Sequence, residues 1–377
     1  TELRSPAPLL QLRLLGERNF GVSMAVLTLF SIGMLGGTYL LPLYMQRGLG
    51  YTALMAGSVF LPVGLIQGVL SAVSGYLTRY VKPLLLAAAG ILLLATSFWG
   101  ISNCLTAICL RDMQPLTLNA FRFLTAFVVL GFVFRKNVFH ASCETVKYSI
   151  VVGLSLVVVY TSVTYGVIYT SVSNAGFICA LSVVTTPILE FIVYRKKPEK
   201  KFGVSMILCL IGLALMTLNE TLKPAFGDII CLFAAVFYSV DLMVTEKAVA
   251  NEKVDPLALG VCDLAVVGVV MLMLSVFLET PALPGTAKVW AAALFLGIVC
   301  SGVCLVIQSV YQKHTTASRA SLIFTLEPVF SAIFAFFLLG ERIGVKGYIG
   351  SALMLASLVL VEVDVGALFK RNKKKAE

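Results

Sequence analysis

Thr170-Ser-Val-Ser-Asn-Ala-Gly-Phe-Ile-Cys-Ala-Leu-Ser-Val-Val-Thr-Thr-Pro187 begins with small polar residues, enters an apolar helix and meets a proline inside it. A shorter counterpart follows at Thr315-Thr-Ala-Ser-Arg-Ala-Ser-Leu-Ile-Phe-Thr-Leu-Glu-Pro328. Ser173 precedes Pro187 by about one helical turn more than Ser318 precedes Pro328, a spacing that keeps the proline near the same face. Proline lacks a backbone donor and frees a carbonyl, so both helices are expected to be interrupted there. In a bilayer such an interruption survives only where protein or a polar cavity covers it. Two of the same kind predict a shared interior site.

Composition places that site in a membrane. The chain has 377 residues, 59% hydrophobic and 13% charged, with a mean hydropathy of +0.96. A soluble domain needs more polar surface than this. Apolar runs of about 20 residues, long enough to span a bilayer, recur throughout. The formal net charge of +10 reflects Lys and Arg gathered in short loops and at the tail, as membrane topology requires. No nucleic-acid partner is expected from it. The chain opens at Thr1, which reads as a fragment or processed chain, and no cleavable signal peptide is evident. The nine cysteines lie almost all in apolar runs, without a Cys-x-x-Cys, and read as small core residues. His140 and His314 are far apart, so no metal or other cofactor is expected.

The chain divides into four parts. A polar, basic start precedes helices at about 20–45 and 53–78, which carry Gly33/Gly37 and Gly64/Gly68, spacings that permit close packing. Ten further apolar spans fit at about 84–103, 115–134, 148–170, 174–194, 202–218, 227–246, 256–278, 289–311, 319–339 and 347–363. The expected fold is all-α: a polytopic membrane bundle of ten helices in an inverted 5+5 repeat, with two extra N-terminal transmembrane helices. The expected parts are 1–83, 84–219, 220–368 and a basic tail, 369–377.

Charge fixes an orientation. One set of loops holds Arg135, Lys136, Lys147, Arg195, Lys196, Lys197, Lys200, Lys201, Lys247, Lys253 and the tail lysines. The opposite set holds only Arg111, Lys223, Lys288, Arg342 and Lys346. Both termini are therefore expected in the cytoplasm. Across the ten spans Phe98-Trp99 recurs as Phe237-Tyr238, Pro115 as Pro256, Arg122 as Asp263 and Pro187 as Pro328, all offset by about 140 residues. An odd number of spans per half inverts the second half, which creates two facing half-sites near the midplane.

Several motifs carry a family resemblance. They are Phe98-Trp99-Gly100, Ala120-Phe121-Arg122-Phe123, Ser173-Asn174-Ala175-Gly176-Phe177 with Pro187, Ala317-Ser318-Arg319-Ala320-Ser321, Leu326-Glu327-Pro328 and Gly340-Glu341-Arg342. Over roughly 84–368 the chain resembles the drug/metabolite transporter superfamily, built from two EamA-type modules. The resemblance implies transport of amino acids, other small metabolites or drugs, often outward, through a central cavity. It also implies a small-molecule substrate, the lipid bilayer as surroundings, a plasma-membrane or bacterial inner-membrane location, and a monomer or homodimer. Arg18-Asn19-Phe20, Tyr39–Gln46, Gly50–Gly57 and Gly75-Tyr-Leu-Thr-Arg79 resemble instead one hairpin of a major facilitator drug:proton antiporter. Thr78 departs from that pattern, where an acidic residue is usual. A fusion, chimera or misassembly with a seam in 82–97 follows.

A charge at bilayer depth costs roughly 3 kcal/mol on insertion scales and needs a reason. Arg122 is a candidate for substrate recognition, and Asp241, Asp263 and Glu327 for proton or substrate coupling. Pairing between helices or capping of an interrupted helix is the plainer alternative. Asp228, Glu190, Glu246 and Glu362 stand near helix ends and read as solvated or snorkelling. Trp99, Tyr165, Tyr169, Tyr238 and Tyr311 could wall a cavity, with Asn103, Asn174 and Gln308 as orienting groups. An interfacial aromatic belt is the alternative for the tyrosines.

The sequence thus supports a secondary transporter of a small organic metabolite. No Walker-type phosphate loop is present to drive a pump. The other classes are a chimera without activity and a membrane-embedded lipid-modifying enzyme, which would need clustered His, Asp or Cys at one interface.

Overall fold

A computed structural model describes residues 83–170, 172–195, 200–217, 226–339 and 344–362, with scattered positions between 17 and 78. The chain forms two compact units, Thr1–Leu77 and Thr78–Glu377. In the first, the described positions include a helical stretch at 42–47. The Gly-x-x-x-Gly pairs expected there lie outside the described residues.

In the second unit every regular element among the described residues is helical. The first half holds α1 (Pro83–Cys109), α2 (Pro115–Val133), the short α3 (Arg135–Phe139), α4 (Cys143–Tyr169), α5 (Val172–Ala180), α6 (Ser182–Tyr194) and α7 (Lys200–Thr217). The second holds α8 (Phe226–Val249), α9 (Pro256–Leu278), α10 (Ala287–Phe295), a π-helical segment (Leu296–Val303), α11 (Cys304–Gln312), α12 (Ala317–Phe324), α13 (Glu327–Leu339) and α14 (Val345–Glu362). Local chemistry starts them. Pro115 and Pro256 open α2 and α9, where a missing N–H costs nothing. The side chains of Ser142, Asp255, Thr286 and Thr316 accept from the first-turn N–H groups of α4, α9, α10 and α12.

Eight helical stretches among the described residues are long and apolar enough to cross a membrane, and Lys201–Met216 and Val345–Val361 are shorter apolar helices. Phe132, Ile192, Phe277 and Ile349 are exposed on the outside, as a lipid-facing surface requires. Cys109, Cys209, Cys231, Cys300 and Cys304 are buried free thiols, whereas Cys143 is exposed.

The interrupted helices are real, but leucines mark them rather than prolines. Leu181 donates its N–H to the Ile178 carbonyl at 3.1 Å, and its own carbonyl accepts from Val184 at 2.8 Å and Thr185 at 3.0 Å. Leu326 repeats this pattern: it donates to Ile323 at 3.1 Å and accepts from Val329 at 3.0 Å and Phe330 at 3.3 Å. The register holds along the chain, for Val172 maps onto Ala317, Ser182 onto Glu327, Tyr194 onto Leu339, Lys200 onto Val345 and Thr217 onto Glu362. The turn of difference seen in the sequence is therefore a displacement of the proline, not an inserted turn. Pro187 lies inside α6, and the carbonyl it cannot pair, on Val183, falls just past the interruption. Pro328 occupies the first turn of α13, where its missing N–H is harmless. In consequence Glu327 corresponds to Ser182, and not to Thr186 as a proline-based alignment implies.

The packing is reciprocal. α4 lies on α8 as α1 lies on the α10–α11 span, and α6 meets α8 as α13 meets α1. α2 pairs with α9, and α7 with α14. The α2–α9 pair is clasped at the end where α2 begins. Glu279, just past α9, accepts from the N–H groups of Leu116 and Thr117, each at 2.8 Å, and from the Thr117 hydroxyl at 2.9 Å. One carboxylate thus fills two orphan donors and faces the positive end of the α2 dipole. Glu279→Ala is expected to cost about 1–2 kcal/mol and Glu279→Gln less, read as the thermal midpoint of the detergent-purified protein. An unchanged midpoint in Glu279→Ala would count against the clasp.

Candidate functional site

The π segment organises the middle of the bundle. Its i→i+5 register is uncommon and concentrates at functional positions. Ser301 donates its hydroxyl to the Leu296 carbonyl five residues back, at 2.9 Å. That leaves the Ser301 oxygen as an acceptor, and Arg122 Nε donates to it at 2.7 Å. The neighbouring Cys300 carbonyl accepts from the Trp99 indole at 2.8 Å. Close approach makes this possible: a Cβ on Gly297 would lie 2.7 Å from the Arg122 carbonyl oxygen. Arg122 is 3% exposed. Its guanidinium stands 4.8 Å from the Tyr160 ring centre and 5.3 Å from that of Phe123, a cation–π arrangement.

Beside this lies an aromatic cluster. Trp99 packs edge-on against Phe324 at 4.9 Å and Tyr238 at 6.4 Å, and Tyr238 lies 6.2 Å from Phe324. The repeat-related pair Trp99 and Tyr238 therefore meets in space. Tyr160 and Tyr238 remain half-buried although they sit deep in the bundle. Tyr160 is within electrostatic reach of Arg122, Glu327 and Asp241, which links the two halves of the cluster.

The acidic side is made of incompletely satisfied acceptors. Asp241 is fully buried on α8 and accepts from Gln308 Nε2 of α11 at 3.0 Å. Its Oδ1, the Gln308 Oε1, the Asp263 Oδ1 and the Tyr238 hydroxyl are all buried without a hydrogen-bond partner. Asp263 is 1% exposed and within electrostatic reach of Asp241. Buried polar atoms are nearly always paired, and among the described residues these four are not.

Two glutamates expected to be solvated are not. Glu190, near the end of α6, is buried and accepts from the Ser318 hydroxyl at the start of α12. Glu246 of α8 accepts from the Ala317 N–H at 2.6 Å. Gln312 ties the same end to the Leu242 carbonyl at 2.6 Å. Position near a helix end cannot separate snorkelling from capping a neighbouring helix, and here capping prevails. Asp228 likewise accepts from the Thr170 hydroxyl, at 2.5 Å.

Of the residues chosen from sequence, Trp99, Arg122, Tyr238, Asp241 and Gln308 converge with Glu327, which is half-buried at the start of α13. Tyr311 packs at the rim of the main core. Tyr165 is drawn instead to the Glu279 clasp, its hydroxyl 3.4 Å from that carboxylate. Tyr169 is 54% exposed and packs edge-on against Phe226, so the structure does not bring it to the cluster. The side chains of Asn103 and Asn174 lie outside the described residues. Tyr160, Ser301, Phe324 and Glu190 were not anticipated. A groove of about 220 Å³ between α2 and α9, lined by Met113, Phe121 and Leu283 among others, involves none of the chosen residues.

The profile of the EamA-like transporter family matches residues 86–218 and again 225–363. The chain belongs to this family. An uncharacterized transporter of Archaeoglobus fulgidus is 26% identical over 274 residues, 73% of this chain and 85% of that protein. One from Methanothermobacter thermautotrophicus is 23% identical over 293 residues, 71% of this chain and 83% of that protein. A shorter match, 32% identical over 91 residues, links 24% of the chain to 17% of YhcA, an uncharacterized major-facilitator-type transporter of Bacillus subtilis. A crystal structure whose description names no activity aligns with a TM-score of 0.62 at 14% identity, covering 73% of this chain and 96% of that one; it speaks for the fold alone. The chain is thus a multi-pass membrane transporter of the drug/metabolite type.

Proposed function

We propose that this EamA-like protein is a secondary active transporter that carries a small organic metabolite outward, by alternating access between inverted five-helix modules at 84–219 and 220–368. The observation that carries this reading is two identically interrupted helices flanking a buried cluster of unsatisfied polar atoms. Such interruptions belong at the midplane sites of inverted-repeat carriers. Trp99, Tyr160, Tyr238 and Phe324 supply apolar walls, and Arg122 and Gln308 supply polar anchors. Asp241, Asp263 and Glu327 are the coupling groups, with the proton as the coupled ion. With both termini in the cytoplasm of a cell-membrane protein, the Glu190 and Glu246 contacts close the inner end, an outward-facing arrangement. Residues 1–83, read as a major-facilitator-like hairpin, lie outside this symmetry and outside the transport path.

The test is reconstitution of the full chain into vesicles loaded with a defined metabolite mixture and followed by mass spectrometry. One or a few components should leave saturably, and faster when a proton gradient is imposed. Loss of every component at the rate of protein-free vesicles would overturn the transport reading. Saturable loss indifferent to the gradient would overturn proton coupling alone.

A further inference from the structure

Arg122 presents a problem that its surroundings do not resolve. A guanidinium inside a membrane bundle is costly unless paired. Among the described residues the one ion pair is Lys147 with Glu144, on the exposed start of α4. Among the described residues no carboxylate lies within ion-pair distance of Arg122. The Nε is committed to Ser301, and the faces of Tyr160 and Phe123 fix the plane of the group. The two Nη groups at the end of the fork have no acceptor among the described residues. Neither is among the fully enclosed atoms that lack a partner, so the fork end keeps a little accessible surface. The packing of α2 on the π segment rests on Gly297 and the Arg122 backbone and does not itself require the charge.

We propose that Arg122 is an anion receptor, held by Ser301 and Tyr160 so that its free Nη pair takes a carboxylate of the transported substrate. This deepens, and rests on, the transporter reading above. End-on Nη geometry matches the two coplanar oxygens of a carboxylate, a bidentate match that Lys could not make. A single guanidinium balances one negative charge, which favours a monocarboxylate over a phosphate dianion. The π segment also sets the rest of the ligand. Cys300 fixes Trp99 and the adjacent Ser301 fixes Arg122, so the Trp99–Tyr238–Phe324 wall is held in register with the fork. The substrate class is a small monocarboxylate with an aromatic or apolar body. Ser301 and Tyr160 are positioning residues; Arg122 makes the contact.

Three isosteric probes test this on the purified full-length protein: phenylacetate, phenylacetamide and phenethylamine, each titrated in a thermal-shift assay. Phenylacetate alone should raise the midpoint saturably, because only a ligand bound to the native state does so. Arg122→Gln should abolish that shift. Ser301→Ala should raise the apparent Kd about tenfold, the equivalent of one charge-assisted hydrogen bond, and Ser301→Thr should restore it. Tyr160→Phe should bind like the parent and Tyr160→Leu should not, a contrast that a merely structural role would not produce at equal midpoints of the unliganded variants. Equal shifts from the amide or amine, no shift from any probe, or parental binding by Ser301→Ala would overturn the proposal. Saturable metabolite flux alongside any of these would leave the transporter reading intact. Probe binding without flux in reconstituted vesicles would do the reverse.

Discussion

Asp241→Asn is expected to abolish coupled transport while making the protein more stable. In the parent, Asp241 Oδ2 accepts from Gln308 Nε2 at 3.0 Å, but Asp241 Oδ1 and Gln308 Oε1 are both acceptors, buried and unpaired. While Asp241 is ionised they cannot satisfy each other. An asparagine at 241 turns one acceptor into a donor. The two carboxamides can then pair head to tail, with Gln308 Nε2 donating to the asparagine oxygen and the asparagine nitrogen donating to Gln308 Oε1. Two orphaned groups are satisfied by exchanging one atom, and the cost of a carboxylate in a fully buried position disappears. The gain should be about 1–3 kcal/mol. The same change removes the Asp241 carboxylate from proton uptake and release. A raised thermal midpoint with flux reduced to background is the expected pair of results. A lowered midpoint would sink the pairing argument, and undiminished gradient-driven flux would remove Asp241 from the coupling machinery. Stability gained where activity is lost is the pattern of a strained functional site.

How much of this was legible in the sequence varied with the physics involved. The all-helical membrane fold followed from composition and run length alone, since only closed hydrogen bonding survives in lipid. Arg122, Asp241 and Asp263 stood out because a charge inside an apolar run is costly and needs a reason. Trp99 and Tyr238 stood out by their matching places in the repeat; that their rings meet is seen only in the structure. The point of interruption was misread, because proline is conspicuous while the turn at Leu181 and Leu326 is made by backbone bonds that leave no mark on residue type. Ser301 was invisible for a related reason. In Gly-Ile-Val-Cys-Ser-Gly a serine reads as a small packing residue, and its role depends on a π register that tertiary contacts impose. Glu190 and Glu246 were misassigned because capping a helix distant in sequence requires knowing which helix lies there.

The closing helices carry the second large prediction. α7 and α14 cross where Gly212 faces Gly350: a Cβ on Gly212 would stand 2.6 Å from the Gly350 carbonyl oxygen and 3.0 Å from the Met354 nitrogen. The reciprocal Cβ on Gly350 would run into the Gly212 carbonyl oxygen and lie 3.1 Å from the Met216 nitrogen. These neighbours are backbone, which cannot rotate away, so the helices themselves would have to part. Lipid offers no hydrophobic force to hold them, because tails are as apolar as the side chains; association depends on backbone approach and packing. Gly350→Leu should therefore cost about 3 kcal/mol or more and leave little monodisperse protein on size exclusion. Gly203→Leu is the control, on the same α7 but with open space around its Cβ, and should melt like the parent. Because each glycine meets the backbone of the other, Gly212→Leu, in the other half of the chain, should fail as Gly350→Leu does. A folded Gly350→Leu with the parent's midpoint would mean that this crossing does not hold the two halves together, and a large difference between the two variants would mean that the halves do not share it equally.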